Sequence, residues 1–490
     1  MVPSLRIQTL QPAPVRPDGD FVLYWMIAAR RPGWSFALQR AADWSRQLGK
    51  PLVVLEPLRV AYPWASDRLH TFVLQGMASN AKHFRNRGVT YLPYVEPAAG
   101  AGKGLLAEVA GRACLVVTDD YPTYFLPRMI AAASKTIPVR MEAVDGNGLL
   151  PMRAASGVFA RAFDFRRFLQ KQLAPHVRTP PVADPLMDLP TASLELASVT
   201  QRWPMASQDE LERAAETSSR MPIDHGVVPG SLHGGFDEGT LRTRRFVSDS
   251  LQRYGLERNH PDDDASSGLS PYLHFGHVSA HQVASAVWDA EGWSVDRLGD
   301  KANGAKEGWW GLHASAESFL DELVTWRELG FNMAWQRDDH DQYSSLPAWA
   351  RATLEEHASD PRDRIYDLAA FEQARTHDPI WNAAQTELVR DGRMHNYLRM
   401  LWGKNILAWS ESPRAALAIM TELNNKYALD GRDPNSVSGI FWVLGRYDRA
   451  WGPERPVFGK VRYMTSESTR RKLRLQEYLR RYGEGARHGR

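Results

Sequence analysis

Along the first 150 residues, short apolar runs alternate with stretches whose apolar positions recur every three or four residues. FVLYWMI, PLVVLEPL, VTYLPYVE, CLVVTDDYP and PVRMEAVD read as strands, being brief, rich in branched or aromatic side chains and bounded by polar or turn residues. Helical segments lie between them. The first sets Trp34, Ala37, Ala41, Trp44 and Leu48 on one face; DRLHTFVLQGMASNAKHFRNRG, Leu105 to Arg112 and Leu126 to Lys135 supply the rest. Strands that alternate with helices predict an α/β N-terminal domain with a five-stranded parallel sheet and right-handed crossovers. Ligands of such sheets gather beyond the carboxyl ends of the strands.

Residues 151–230 lose this periodicity and include VRTPPVADPLMDLPTAS, which reads as an interdomain linker. From 231 to 490 helical signals dominate, with Pro434 and Pro453 in loops, so an all-helical C-terminal domain is expected. The expected division is therefore 1–150, 151–230 and 231–490.

Composition narrows the class. A chain of 490 residues with 43% hydrophobic and 24% charged residues is an ordinary globular protein of more than one domain. It has no apolar run long enough to span a bilayer and no apolar core of a secretory signal in MVPSLRIQTLQPAPVRPDGD. Cys114 is the single cysteine, which excludes an intrachain disulfide framework and a cysteine metal cluster. A cytoplasmic protein without a bound metal is the simplest expectation. Net charge is +3, so any nucleic-acid binding must use a local basic patch. Twelve of the 17 tryptophans lie from Trp288 onward, so the helical half is built differently from the first. GAGKG at Gly100 to Gly104 fits no phosphate-cradling loop and reads as a turn.

Four stretches carry candidate chemistry. In SSGLSPYLHFGHVS, hydroxyls and Gly268 precede Pro271 at a helix start, where free N–H groups suit a phosphate; from spacing alone a plain N-cap is the simpler reading. In FLDELVTWRELGFNMAW, Glu322 and Trp326 share a helix face and could bond and stack on one base, or could be a solvated acid beside a core indole. In HDPIWNAAQTELVRDGRMHNYLRMLWGKNILAW, Trp402 and Trp409 stand seven apart, about 10.5 Å along a helix, a spacing that fits core packing or stepwise electron transfer. GIFWVLGRYDRAWGPERPVFGKVRYM mixes indoles with the cations Arg449, Lys460 and Arg462, which suit phosphate contacts or a solvated surface.

Together these stretches, from about residue 254 to 464, resemble the flavin-binding region of the DNA photolyase and cryptochrome family, most closely class II cyclobutane pyrimidine dimer photolyases. The resemblance implies an antenna-like α/β domain and a helical domain that holds noncovalent FAD, active as the fully reduced anion. It assigns Tyr254, Ser266, Ser267, Gly268, Leu269 and Ser270 to the cofactor, with Arg327, Asn332 and Asn396 near the flavin. Arg399 and Asp430 would form an ion pair beside the ring system, and Asn424 would face flavin N5. Trp381, Trp402 and Trp409 would relay electrons in that order from the flavin outward. Glu322 would bond the pyrimidine dimer, with Trp326 and Trp442 as pocket walls and Met400 and Arg258 beside them. Arg449 would fill the gap left by the flipped lesion, and Lys460 and Arg462 would reach phosphates.

The implied reaction is light-dependent repair. Excited reduced FAD passes an electron to a dimer flipped out of double-stranded DNA, the ring splits, and the electron returns. A monomer is expected, with a possible antenna pigment such as a deazaflavin. The alternative is a cryptochrome-type photoreceptor that keeps FAD and the tryptophans but has no repair activity.

Overall fold

The computed structural model describes residues 1–192 and 194–483. The chain forms two compact units. The first comprises residues 1–155, 172–245 and 268–296; the second comprises 156–171, 246–267 and 297–490.

The first unit is built on six strands: β1 (Ile7–Gln11), β2 (Phe21–Trp25), β3 (Leu52–Leu58), β4 (Thr90–Val95), β5 (Ala113–Asp119) and β6 (Met141–Val144). Their spatial order is β1-β6-β5-β2-β3-β4. All neighbours run parallel except β1, which pairs antiparallel with β6. The sheet thus has one strand more than the five expected. β1 is IQTLQ, only partly buried and mostly polar, so it carries no apolar run to read.

The crossovers are α1 (Phe36–Leu48), α2 (Asp67–Arg85), α3 (Leu105–Arg112) and α4 (Leu126–Ser134). β2, β5 and β6 are buried on both faces, which is why they read as continuous apolar runs. Alternation along β2 divides the core. Phe21, Leu23 and Trp25 pack with Val109 of α3 and Ile130 of α4, while Val22 and Tyr24 pack with Phe36 and Leu38 of α1.

Strand order reverses between β2 and β5. There Asp119 closes the sheet end: one carboxylate oxygen accepts the N–H groups of Ile27, Ala28 and Ala29 at 2.9, 2.8 and 3.0 Å, and the other accepts the Tyr24 hydroxyl at 2.7 Å. Burial pushes the Tyr24 phenol well up, with Asp119 adding to it.

The second unit is helical. A long helix runs from Ala314 to Gln336 and widens into a π turn over Asp321–Trp326. The buried Arg166–Asp321 ion pair, at 2.6 Å, fixes the start of that turn. Helices Pro379–Asp391, Asn396–Trp409, Pro413–Tyr427 and Pro434–Val443 follow. Three of these four begin with proline just after an Asp or Ser whose side chain caps the first turn, the start signal expected of a helix. Helices Asn396–Trp409 and Pro434–Val443 approach closely at Gly403, where a Cβ would lie 2.5 Å from a Val443 methyl. Among the described residues no helix is long and apolar enough to cross a membrane, and no group of three or more His, Cys, Asp or Glu is placed to hold a metal.

Candidate functional site

Asp378 accepts the N–H groups of Ile380 and Trp381, both at 2.9 Å, and so fixes the start of helix Pro379–Asp391. Trp381 is wholly buried, and its indole N–H donates to the Trp402 carbonyl at 3.0 Å. The two rings lie parallel within 6°, with centroids 6.4 Å apart. Trp409, half-buried, meets Trp381 edge-on at 6.2 Å. Trp381 is therefore the middle ring of three, and among the described residues Trp402 and Trp409 make no direct ring contact. This corrects the expected order, which put Trp381 at one end. Seven residues carry Trp402 and Trp409 too far apart along one helix, and the neighbouring helix inserts Trp381 between them. The Trp402 N–H donates to the Gln385 side-chain oxygen at 2.8 Å, so both buried indoles have partners. His377 and Tyr366 pack on Trp409 at 4.8 and 6.0 Å.

Arg399, on the same helix as Trp402, pairs with Asp430 at 3.0 Å. Asn424 is buried and donates to Ser436 Oγ at 2.9 Å and Asn425 Oδ1 at 3.1 Å. Asn396 is exposed at the first turn of its helix. Asn332 donates to the Gly157 carbonyl at 3.0 Å, while its own Oδ1 is buried without a partner. Such an acceptor is costly to leave dry and suits a bound donor. Arg327 packs its guanidinium 4.4 Å over the Phe331 ring.

Around Glu322 a second cluster forms. Arg258 pairs with Glu322 at 2.6 Å and donates to the Tyr254 hydroxyl at 3.3 Å. Burial pushes the Tyr254 phenol up to about 12, with Glu322 adding to it. Burial opposes the charge on Arg258, yet Glu322 and Tyr254 hold it above its ordinary range. Glu322 and Trp326 both lie in the π turn rather than in regular helix, and both are partly exposed. π turns are over-represented at functional sites.

The SSGLS stretch crosses from one unit to the other: Ser266 and Ser267 belong to the second, Gly268, Leu269 and Ser270 to the first. Gly268 has φ +61°, and a Cβ there would run into the Arg242 guanidinium. Leu269 is buried and occupies the cap position of helix Ser270–His274, and no side chain caps that turn. The plain N-cap suggested by spacing is therefore not formed.

A cleft of about 370 Å³ opens among Tyr397, Met400, Trp442, Trp451, Arg462 and Lys472. That is a volume typical of small-molecule sites. Arg462 pairs with Asp448 at 3.2 Å and lies 4.3 Å over Trp451 and 5.6 Å over Trp442. Arg449 is exposed, 4.7 Å over Trp451. Lys460 is exposed and pairs with Glu454 at 2.9 Å. Three expected residues thus meet in one cleft: Met400, Trp442 and Arg462. Glu322 and Trp326 are not part of its lining. Tyr397, Trp451 and Lys472 join it unforeseen, although YLRM and RAWGP held their aromatic signal.

No protein-family model matches the chain. It is similar to curated proteins named deoxyribodipyrimidine photo-lyase. The one from Methanothermobacter thermautotrophicus is 33% identical over 487 residues, 98% of both chains. The one from Arabidopsis thaliana is 31% identical over 465 residues, 94% of this chain and 88% of the relative. Among solved structures, a bacterial class III photolyase from Agrobacterium tumefaciens superposes with a TM-score of 0.67 over 95% of this chain and 86% of that one, at 16% identity. At that identity the likeness shows the fold.

Proposed function

The chain belongs to the deoxyribodipyrimidine photo-lyase family, and from that premise we propose that it binds FAD noncovalently and repairs cyclobutane pyrimidine dimers in double-stranded DNA under light. The observation that carries the reading is the cleft of Met400, Trp442 and Arg462, with Met400 on the same helix as Trp402 and Trp409 of the three-indole array. When bound, fully reduced FAD supplies the light-driven electron that opens the cyclobutane ring and takes it back, so there is no net redox change.

The residues present fit such a cofactor. Arg399, held by Asp430, offers a fixed cation to an anionic ring system. Asn424 is locked by Asn425 and Ser436 and presents an oriented amide. Asn332 offers an unused acceptor, and Ser266 and Ser267 of the same unit offer hydroxyls to a diphosphate.

The chain's other side chains serve the lesion. Extruding the damaged bases from the duplex is the general strategy of photolyases and other enzymes that act on a base. Trp442 gives the two extruded bases an apolar wall, and Met400 lines the same cleft. Glu322 accepts from a base edge; its pairing with Arg258 holds the carboxylate in place, and a carboxylate has room for more than one donor. Arg462, Lys472 and the exposed Arg449 and Lys460 supply positive charge for phosphates at the rim. Trp381, sandwiched between Trp402 and Trp409, gives electrons from the surface a continuous ring path. We take the protein to act as a cytoplasmic monomer, with the first unit suited to an antenna pigment such as a deazaflavin.

The indole path favours a cryptochrome-type photoreceptor equally, so the test must read the cleft. FAD-reconstituted protein is titrated in the dark with duplexes with and without a single thymine dimer. Repair predicts clear preference for the damaged duplex. Equal affinity for both would favour the photoreceptor.

A further inference from the structure

Lys404 is fully buried, two residues past Trp402 on the same helix. Its ammonium donates to the Val443 carbonyl at 2.6 Å and sits 5.0 Å from the centre of the Trp442 ring. Val443 is the last residue of helix Pro434–Val443, where backbone carbonyls have no partner within the helix. Trp442, one residue earlier, is the wall of the cleft. The close approach at Gly403 brings Lys404 under this helix end.

We propose that Lys404 is the positioning residue of the cleft wall: by bonding the Val443 carbonyl and facing the Trp442 ring from the protein interior, it sets the orientation of Trp442 toward a ligand. This rests on the reading of the cleft as the lesion site.

Three features support the assignment. A lysine is almost never fully buried without a specific partner, and among the described residues only the Val443 carbonyl accepts from it. A cation near a helix C-terminus is favourable, and over an indole face it is favourable again. Burial pushes the Lys404 amine down to about 7, so it changes charge near neutrality. Among the described residues, Asp448 favours the charge and Arg462 opposes it. Helix Pro434–Val443 carries no titratable side chain. Asp448 is in turn paired with Arg462, which also lies over Trp442. The charge on Lys404 is therefore felt at the indole.

The test uses the full chain labelled with ¹⁵N at tryptophan indoles, with the Trp442 signal identified by its loss in Trp442→Phe. In the wild type that signal should shift with a midpoint near neutrality. Lys404→Met should abolish the shift and weaken dimer-duplex binding roughly fivefold or more, the scale of one lost hydrogen bond. Lys404→Gln can still donate to Val443 but cannot titrate, so binding should return to within about twofold while the shift stays absent. A Trp442 signal that does not titrate, or titrates unchanged in Lys404→Met, overturns the proposal. So does Lys404→Gln binding as poorly as Lys404→Met. The spectroscopic arm needs neither DNA nor flavin. Wild-type protein whose Trp442 titrates but which does not prefer dimer DNA contradicts the lesion-site reading alone.

Discussion

His277 lies in the SSGLSPYLHFGHVS stretch, and its burial predicts a one-proton signature in stability. The imidazole is fully buried; its Nδ1 accepts the Gly235 N–H at 2.9 Å and it stacks on Phe72 at 5.0 Å. Its Nε2 is buried without a partner. Protonation would break the Gly235 bond and place a charge in a dry site already facing Arg30 and Arg31. Burial first, then those arginines, push the group from 6.5 down to about 3. Because the folded value lies below the unfolded one, the unfolded chain binds the extra proton between the two. His277 therefore leaves stability intact above pH 6.5 and removes it as pH falls toward 3. Each pH unit in that window costs about 1.4 kcal/mol, so roughly 3 kcal/mol is lost by about pH 4.5. His277→Asn keeps an acceptor for Gly235 but does not titrate. It should cost about 2 kcal/mol near neutrality through lost packing, yet its stability should fall less steeply with acid. Urea denaturation of the full chain across this range, for both proteins, reads the difference. Curves that stay parallel would refute the argument, because every other titrating group is common to both.

Trp381→Phe should lower photoreduction of bound oxidised flavin at least tenfold while sparing repair by chemically prereduced protein; equal photoreduction rates under steady illumination would remove Trp381 from the path. Gly268→Ala should cost about 1–3 kcal/mol through its positive φ and displace Arg242, read as a lower unfolding temperature and faster flavin loss on dialysis. Glu322→Gln should reduce the preference for dimer over undamaged duplex by about tenfold, the scale of one charge-assisted hydrogen bond, measured by competition binding in the dark.

The sequence displayed the parallel core because β2, β5 and β6 are buried on both faces and must be apolar throughout. It concealed β1, whose half-exposed position tolerates Gln and Thr. Proline following Asp or Ser starts three helices of the second unit; Pro434, expected in a loop, is the first residue of helix Pro434–Val443, because proline breaks a helix interior but suits its first turn. The π turn at Asp321–Trp326 was not legible, because no residue in DELVTW demands it; the Arg166–Asp321 pair that anchors its start comes from far away in the chain. Spacing along a single helix suggested Trp402 beside Trp409, whereas tertiary packing sets Trp381 between them. The role of Lys404 was equally hidden. In WGKN it reads as a surface lysine, and only the close helix contact at Gly403 shows it beneath Trp442.

One measurement bears most directly on the account. Protein loaded with FAD and chemically reduced is mixed with an oligonucleotide carrying one defined thymine dimer, and restored thymines are counted with and without blue light. Restoration under illumination and none in darkness is the predicted result. Tight, selective binding of the dimer with no thymines restored under light would contradict it.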